Sequence, residues 1–435
     1  MSDSELAMFG GQPAVTIQKE FRWPAISEDI VQAVADLVRR GELSDTEYGE
    51  PMRLIEEQWA KYLGVEFALS RVDGTAALHS ACFAAGVGPG DEVLVPSYTW
   101  VASAGCILAA GGVPVFADID PRTYTLDPAD LERRITPRTK AVLPVHLWGH
   151  PAEMDDIMGI ARARRLRVIE DASHAHGGTY KGRKVGTIGD IGCFSMQASK
   201  SLPAGEGGMM VTNDRRLFER ALLLAQSPGR LKLHIQLPEH RPFIDTGFGG
   251  FKYRMNVLNA VIARLLLPRL DQLNAMRQKN MDHLGARLAG IPGIRPPYTA
   301  PHVTRGGFYG YPILYQPEEL DNLPMETFLN AVAAEGVPLK RDRYMMLHLC
   351  ALYRERNPVG NGWPWSFSEA TRAMRYRPGD LPVTEALYPR LLHLESWDKA
   401  EPCQDLFDQY ALGIRKVAGS ASRLARLRSR SSCGD

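Results

Sequence analysis

The middle of the chain alternates short apolar segments with longer amphipathic ones, and this alternation predicts the fold. The strand segments are apolar throughout, so we expect helices on both faces of a mostly parallel sheet. The predicted strands are Glu92–Ser97, Val113–Asp118, Ala141–Leu147 and Arg167–Asp171, and the predicted helices between them are Val101–Ala110 and Met154–Arg165. The pattern predicts an α/β layer architecture.

The pattern changes in the second half of the chain. Short strands at Ile191–Met196 and Met209–Thr212 flank a glycine-rich loop. A long amphipathic helix begins near Val257, and Pro268 is expected to kink it. After Pro292 the pattern weakens into short strands and helices rich in proline and glycine, which indicates a smaller C-terminal α+β domain.

These changes predict two domains and a tail. We place a large domain, with the N-terminal segment, at residues 1–285 and a small C-terminal domain at 286–419. Residues 420–435 carry four arginines among serines. A disordered tail is the interpretation adopted for them, with a polyanion-binding tail as the alternative.

Composition narrows the possible partners. The 435 residues carry 51 Lys and Arg against 50 Asp and Glu, a net charge of +1, which predicts neither nucleic-acid nor membrane binding. The six cysteines form no CxxC pair, and the first residues lack the features of a signal peptide. No apolar stretch is long enough to span a bilayer, so a cytoplasmic protein is expected.

Two residues place an amine and an acid near strand ends. Asp171 ends an apolar run, and Lys200 lies 29 positions later in an apolar segment bounded by glycines. Pyridoxal phosphate needs a lysine to hold its aldehyde and an acid to keep its pyridine nitrogen protonated. Alone, each has an ordinary explanation, because most lysines are surface charges and most aspartates cap helices or form ion pairs.

A phosphate site is the third feature that this cofactor requires. Gly74, Thr75 and Ala76 follow the short predicted strand Phe67–Ser70 and begin a helix predicted over Ala76–Ala85. Backbone amides at a helix start, a threonine hydroxyl and the helix dipole suit a phosphate. An ordinary turn and helix cap explains the same residues, and both interpretations stay open at this point.

Three more residues are candidates for cofactor contacts. Ser195 either adds a phosphate contact or is an ordinary strand-end serine. Trp100 follows a strand at the sheet edge where open α/β sheets bind ligands, and it either covers the pyridine ring or packs in the core. His174 either touches the ring hydroxyl or is a loop histidine without a role.

The order of these motifs resembles that of the DegT/DnrJ/StrS family of sugar and cyclitol aminotransferases. The resemblance runs from about residue 9 to about residue 417 and rests on seven motifs with near-family spacing. The motifs are Gly88–Val93, Pro96–Trp100, Val115–Asp120, Pro144–Gly149, Glu170–Ala175, Phe194–Lys200 and Gly205–Gly208. It implies a fold-type-I aminotransferase architecture with pyridoxal 5'-phosphate as the cofactor.

The resemblance also assigns roles to individual residues. It implies that Lys200 is the Schiff-base lysine and proton shuttle and that Asp171 pairs with the pyridine nitrogen. By the same resemblance, Trp100 stacks on the ring and His174 lies near the ring hydroxyl. The phosphate contacts that it implies come from Gly74, Thr75 and Ala76 at the helix start and from Ser195.

Family members act as homodimers in which the other subunit completes each active site, and residues 250–255 match that contact segment. Lys252 stands where many members carry Asn, and it can still meet phosphate across the dimer. Asp73 stands where Ser or Asn is more frequent. Because its charge would repel phosphate, we expect Asp73 to point away from the site.

The implied reaction moves an amino group from L-glutamine or L-glutamate to a ketone on a sugar or cyclitol, in amino-sugar or aminocyclitol antibiotic biosynthesis. The sequence Phe194–Gln197 and the tryptophan at position 100 favour keto-cyclitols, with nucleotide-linked keto-sugars as the alternative. A non-catalytic regulatory protein that binds the cofactor or a sugar is the alternative from another class. Related ring dehydratases replace the lysine with histidine, whereas this chain keeps Lys200.

One segment of the predicted second domain stays open. Arg354–Asp380 is rich in Pro, Trp and Arg. It is either a lid over the acceptor, with arginines serving a substrate phosphate, or a packed surface loop.

Overall fold

The structure of the chain is a computed structural model that describes residues 5–248, 250–358 and 360–431. The strands, in chain order, are β1 (Phe67–Arg71), β2 (Glu92–Pro96), β3 (Tyr98–Thr99), β4 (Val113–Ala117), β5 (Thr139–Val142), β6 (Arg167–Asp171), β7 (Thr179–Tyr180), β8 (Arg183–Lys184), β9 (Ile191–Ser195), β10 (Gly208–Thr212), β11 (Ile294–Arg295), β12 (Val303–Thr304), β13 (Gly310–Tyr315), β14 (Lys340–Arg341), β15 (Met345–Met346) and β16 (Leu391–Glu395).

The α-helices alternate with the strands through the first half of the chain. They are α1 (Glu28–Arg40), α2 (Glu50–Leu63), α3 (Gly74–Ala84), α4 (Val101–Ala109), α5 (Pro128–Arg134), α6 (Met154–Arg164), α7 (Arg215–Ala225), α8 (Pro228–His234), α9 (Val257–Leu266), α10 (Leu270–Leu288), α11 (Met325–Ala334), α12 (Ala351–Glu355), α13 (Glu369–Ala373), α14 (Pro382–Leu387), α15 (Gln404–Gly419) and α16 (Ala421–Ser431). Among the helices described, none is long and apolar enough to cross a membrane.

The central sheet has seven strands in the order β1-β10-β9-β6-β5-β2-β4. β6 pairs in parallel with β5 and β9, and β2 pairs in parallel with β5 and β4. Only β10 runs against its neighbours, β1 and β9, within this sheet. The prediction of a mostly parallel sheet is confirmed.

Both faces of the central sheet are buried, as the continuous apolar strands predicted. On β2, Val93 and Val95 pack into one hydrophobic cluster while Leu94, which points the other way, packs into a second. All three side chains are fully buried. A polar side chain on either face would lose its hydration, which explains why the strand sequences do not alternate.

One predicted strand is shorter than expected. The apolar run Ala141–Leu147 gives a strand that ends at Val142. Pro144 has no amide hydrogen to donate, and Trp148, at φ 52°, turns the chain away from the sheet. The chain stays close to β6, because His146 donates its amide to the carbonyl of Asp171 at 3.0 Å.

A second sheet forms the core of the C-terminal part. It is antiparallel, in the order β11-β13-β16-β14. Its hydrophobic cluster combines Ile313, Leu392, Phe328 and Ile414 with Leu6 from the N-terminal segment. The first described residues thus pack on the C-terminal part, whereas the sequence assigned the N-terminal segment to the large domain.

The long helix after Val257 is interrupted where proline predicted it. α9 ends at Leu266, a 3-10 turn covers Leu267–Arg269, and α10 continues to Leu288. Leu284 and Leu288 pack into the cluster of the second sheet, so α10 runs through the predicted boundary at residue 285. The two parts of the chain are joined by a helix rather than by a loop.

The predicted disordered tail is corrected over most of its length. Residues 421–431 form helix α16, in which Ala421 and Leu424 are buried. These two residues, three apart, lie on one helix face and pack on the second core, which the arginine-rich composition concealed. Residues 432–435 lie outside the described residues.

Candidate active site

A cleft of about 450 Å³ opens where strands of the central sheet meet the C-terminal part of the chain. Most of the residues predicted to bind the cofactor line it, although they are up to 126 positions apart. These are Gly74, Thr75, Trp100, Asp171, His174, Ser195 and Lys200. The cleft lies at the carboxyl ends of β2 and β6, the edge at which open α/β sheets bind ligands.

Lys200 lies in the loop between β9 and β10 and is only 9% exposed. Its amide donates to the carbonyl of Gln197 at 2.8 Å, which fixes a turn before the side chain enters the cleft. The ammonium Nζ lies over the ring of Tyr309, 3.9 Å from the centroid. Burial lowers the pKa of Lys200 below its usual value, against the opposing effect of Tyr309 and Asp171, so the amine releases its proton more readily.

Asp171 is the last residue of β6 and is buried. Ser103 donates its hydroxyl to Oδ2 at 2.8 Å, and the amide of Ser173 donates to Oδ1 at 3.1 Å. Among the described residues no basic side chain forms an ion pair with it. The carboxylate is therefore held in place by neutral donors and lines a cleft in which a cationic ligand can pair with it.

The start of α3 and the end of β9 form a tight backbone junction. A Cβ on Gly74 would lie 2.6 Å from the Cβ of Ser195, so only glycine fits at this position. The amide end of α3 and the exposed Thr75 side chain border the cleft beside Ser195. These groups can bind a phosphate at the positive end of the helix dipole.

Two details of the predicted phosphate site differ in the structure. Asp73 does not point away, because it lines the cleft and accepts the amide of Ala76 on Oδ1 at 2.7 Å. Ala76 itself does not line the cleft, and its amide is used in this helix cap. The first amides of α3 and the Thr75 hydroxyl remain as donors.

Aromatic residues form a wall of the cleft. His174 stacks on Tyr309 at 4.2 Å and on Trp148 at 5.6 Å between ring centroids. The amide of Trp148 donates to Nδ1 at 3.4 Å, so the proton lies on Nε2, which is 3.0 Å from the Tyr344 hydroxyl. Burial lowers the pKa of His174 well below its usual value, and the nearby charge of Lys200 adds to this. His174 is therefore a neutral hydrogen-bond donor.

Trp100 is the most exposed of the predicted contacts. It precedes α4, and 51% of its side chain is accessible to solvent. Its ring is tilted by 47° at 5.9 Å from that of Tyr344. A ring placed in the cleft can therefore be covered by Trp100, which packs little against the rest of its own chain.

The structure adds three residues that the sequence did not predict. Tyr309, Arg343 and Tyr344 come from the C-terminal part and line the cleft, with Tyr309 directly beside Lys200. They lie in loops beside short strands, where no apolar period marks them, although the pairing of β15 with β3 brings this segment to the cleft. Ser103 was also missed, since a serine in an apolar helix gives no signal by itself.

Two predicted features lie elsewhere. Lys252 is exposed and does not line the cleft of its own chain. Within the part of the chain described, no residue of 354–380 lines the cleft either. The Tyr376 hydroxyl instead accepts the backbone amide of Phe116 at 2.7 Å, so this segment packs on the edge strand β4. The arrangement favours the packed loop over the lid.

Residues 24–404 match the family model described as the DegT/DnrJ/EryC1/StrS aminotransferase family. An L-glutamine:2-deoxy-scyllo-inosose aminotransferase of Streptoalloteichus tenebrarius is 36% identical over 393 residues, which cover 85% of this chain and 88% of that protein. An L-glutamine:scyllo-inosose aminotransferase of Streptomyces griseus is 37% identical over 338 residues, or 77% of this chain and 79% of that protein.

The fold is also similar to solved structures. The crystal structure of DesI in the presence of its TDP-sugar product superposes with a TM-score of 0.74 at 28% sequence identity. The superposition covers 99% of each chain. The α/β architecture with a smaller C-terminal part is therefore that of known aminotransferases.

Proposed function

The chain belongs to the DegT/DnrJ/EryC1/StrS aminotransferase family, and on that premise we propose that it transfers an amino group from L-glutamine or L-glutamate to a ketone on a cyclitol ring. The observation that carries the proposal is the pairing of buried Lys200 with buried Asp171 in one cleft. Two relatives named for transfer to scyllo-inosose rings support the choice of acceptor. Both of their names also specify L-glutamine, which favours glutamine over glutamate as the donor.

Pyridoxal phosphate is the cofactor of this family, and three features of the cleft fit it. The close approach of Gly74 to Ser195 brings the first amides of α3 and the hydroxyls of Thr75 and Ser195 to one border of the cleft, where they can bind a phosphate. The Asp171 carboxylate has neutral donors and no cation, which suits a protonated ring nitrogen. Trp100 and Lys200 then lie on the border of the same cleft, where they can cover and hold the ring.

When bound, the cofactor supplies an electron sink for the carbon that loses or gains the amino group. Asp171 would hold a proton at the ring nitrogen, and the hydroxyl of Ser103 fixes the orientation of that carboxylate. The Lys200 amine moves a proton to and from the substrate carbon, a task for which its lowered pKa suits it. Neutral His174 donates a hydrogen bond through Nε2 and does not compete for that proton.

A shared active site in a homodimer is part of the proposal. Lys252 and the neighbouring Phe251 are exposed, with half of the Phe251 side chain accessible. Phe248 and Trp100 are exposed to the same extent. Phe248 and Phe251 lie beside Phe83 and His79 of α3, the helix that begins at the cleft. Exposed apolar groups there and at Trp100 support a partner subunit, and Lys252 of that subunit would offset the charge of a phosphate next to Asp73.

A nucleotide-linked keto-sugar is the second candidate acceptor. The similarity to DesI, whose structure contains a TDP-sugar product, favours it. The cyclitol relatives are more similar in sequence and are preferred for that reason. A cytoplasmic location stays a prediction of the sequence.

The proposal is tested by absorption spectroscopy of the purified protein with added pyridoxal phosphate. We expect a band from the lysine-bound cofactor, its loss on addition of L-glutamine, and its return on addition of a keto-cyclitol. Lys200→Ala should lack the band, whereas Lys279→Ala, which removes an exposed lysine of α10, should retain it. A band that no amino donor bleaches would overturn the proposal and favour a regulatory protein that binds the cofactor. Return of the band only with nucleotide-linked keto-sugars would identify these sugars, rather than keto-cyclitols, as the acceptors.

A further inference from the structure

The cleft contains few positive charges. Its lining includes the carboxylates of Asp73, Asp171 and Glu206, but only two basic side chains, Lys200 and Arg343. Lys200 is committed to the cofactor and to proton transfer in the function proposed above. An anionic substrate that enters this cleft therefore has Arg343 as its partner within the chain.

Arg343 has no acidic partner of its own. Among the described residues, no carboxylate lies within ion-pairing distance of its guanidinium. Within the described part of the chain, the one hydrogen bond of the guanidinium goes from Nη2 to the Tyr309 hydroxyl at 2.9 Å. In the adjacent Asp342, Oδ2 accepts the Tyr98 hydroxyl and the Tyr344 amide, and Oδ1 lies 3.7 Å from Nδ1 of His393. Other N–H groups of the guanidinium remain for a ligand.

Aromatic faces hold the guanidinium in place. It lies 5.2–5.9 Å from the centroids of four rings, those of Trp397, Tyr309, Tyr344 and Trp148. Such faces attract the cation but accept few hydrogen bonds, so they orient the planar group without using its donors. The guanidinium of Arg343 is therefore held in one orientation while its remaining N–H groups can bind a ligand.

The backbone around Arg343 is fixed on both sides. Asp342 is bonded to Tyr98 before it, and Tyr344 is bonded to His174 after it. The next residues form β15, which pairs with β3 beside the cleft. A side chain held in this way needs little reorganisation when a ligand binds, which favours affinity.

Tyr309 connects Arg343 to the reacting amine. The Nζ of Lys200 lies over its ring, and its hydroxyl accepts from Arg343. In an amino acid, the carbon that loses a proton is bonded directly to the carboxylate. A binding group for that carboxylate must therefore lie close to the amine that takes the proton, and Arg343 does.

From these observations, and resting on the proposed function, we propose that Arg343 binds the α-carboxylate of the amino donor. The donor is anionic at this end, whereas a cyclitol acceptor carries only hydroxyls and a ketone. One cleft must take both molecules in turn. Arg343 would bind the amino donor through a bidentate ion pair, whereas the cyclitol acceptor would be bound by neutral hydrogen bonds.

The test compares two amino compounds on the same protein. One is L-glutamine, and the other is scyllo-inosamine, the carboxylate-free amine that corresponds to scyllo-inosose. For each, the rate of bleaching of the lysine-bound cofactor band is measured against concentration. We expect Arg343→Gln to raise the half-saturating glutamine concentration about 100-fold and that of scyllo-inosamine less than about threefold.

Two further variants sharpen the result. Arg343→Lys keeps the charge but not the planar guanidinium group. Its half-saturating glutamine concentration should therefore lie between those of the wild type and Arg343→Gln. Arg377→Gln removes an exposed arginine that does not line the cleft and should behave as the wild type. The inference would be overturned if both Arg343 variants raised the half-saturating concentrations of the two amines equally, or if neither variant raised that of glutamine. A wild-type protein that neither amine bleaches would overturn the proposed function and this inference with it.

Discussion

Asp171 is a buried carboxylate whose hydrogen-bond partners are a hydroxyl and an amide rather than a cation. Burial of an unpaired charge is costly, and proteins retain such a group where a ligand compensates it. The nearby amine of Lys200 is also buried and has its pKa lowered by that burial. At the scale of single residues, both groups are better suited to a bound cation and a moving proton than to stabilising the fold.

Asp171→Asn tests the role of the acid. An amide cannot keep a proton on a ring nitrogen, so we expect kcat/KM for amino transfer to fall on the order of 10²–10⁴-fold. The midpoint temperature of thermal unfolding of the apo protein should fall little or not at all, because the substitution removes a buried charge. Asp155→Asn, at an exposed ion pair with Lys181, is the control and should retain full activity. Near-normal transfer by Asp171→Asn would contradict the role.

Gly74→Ala tests the phosphate site. The added Cβ would lie 2.6 Å from the Cβ of Ser195, so the start of α3 must move away from β9. We expect the Kd for pyridoxal phosphate, measured by titration of apo protein, to rise about 10-fold or more. Gly159→Ala is a matched control, because nothing lies within 4 Å of its added Cβ. Equal affinity in the two variants would place the phosphate elsewhere.

At the scale of elements, the sequence predicted the parts that follow a repeating rule. The strand at Arg167–Asp171 was predicted with its final bounds, and so was the interruption at Pro268, because buried parallel strands and proline have strong local signatures. Asp171 was recognised at the end of such a strand and Lys200 in an apolar segment bounded by glycines, and the resemblance to the family motifs gave both residues their predicted roles. The tail helix α16 was not predicted, since a few buried residues decide its packing against arginines and serines.

The cleft residues that the sequence did not predict depend on contacts between segments far apart in the chain. Tyr309, Arg343 and Tyr344 lie next to short strands far along the chain, and the pairing of β15 with β3 brings the segment of Arg343 and Tyr344 to the cleft. Such long-range pairing leaves no periodic signal in the sequence. Ala76 was assigned to phosphate on position alone, and the side chain of Asp73 takes its amide instead.

Glu170 anchors the hairpin segment after β6 to the strand. Its buried carboxylate accepts the amides of Gly186, Ile188 and Gly189 at 2.6–2.8 Å and lies 3.0 Å from Nε2 of His146. Burial opposes the charge, but the hydrogen bonds from His146 and the amides outweigh it and hold the pKa of Glu170 below its usual value. The strand that carries Asp171 is thereby tied to its neighbouring loop.

Glu170→Gln tests this anchor through the pH dependence of stability. A carboxyl whose pKa is lower in the folded than in the unfolded chain stabilises the fold above its unfolded value of about 4.5. That stabilisation is lost as the pH falls through the folded pKa. We expect Glu170→Gln to lower the free energy of unfolding at pH 7 by about 2 kcal/mol and to flatten the loss of stability in acid.

The measurement for Glu170 is urea unfolding between pH 3 and pH 8. Glu57→Gln, which breaks an exposed ion pair with Arg53, serves as the control and should follow the wild type at each pH. If the free energy of unfolding of Glu170→Gln fell with decreasing pH as steeply as that of the wild type, other carboxyl groups would determine the stability in this range.

At the scale of the whole molecule, the cleft of one chain is open on the side of Trp100, and Lys252 lies outside it. Complementation between inactive variants tests whether a partner closes it. Lys200→Ala and Lys252→Ala should each lose activity as homodimers. When they are mixed, a heterodimer would contain one site with both lysines intact, so we expect recovery of up to about a quarter of wild-type activity.

Size-exclusion chromatography with light scattering provides the control for that mixture. It should show dimers for both variants, so that a failure to recover activity is not a failure to assemble. Dimers that exchange subunits without any recovery would contradict a site shared through Lys252.

The central claim is that the cleft around Lys200 carries nitrogen from an amino acid to a ring ketone. The most direct test gives the protein L-glutamine labelled with ¹⁵N at its α-amino group, together with a keto-cyclitol, and follows the ring by mass spectrometry. We predict a ring amine that carries the label with the wild-type protein and unlabelled ketone alone with Lys200→Ala. An absence of labelled ring amine with keto-cyclitols and nucleotide-linked keto-sugars alike, or equal labelling with Lys200→Ala, would contradict it.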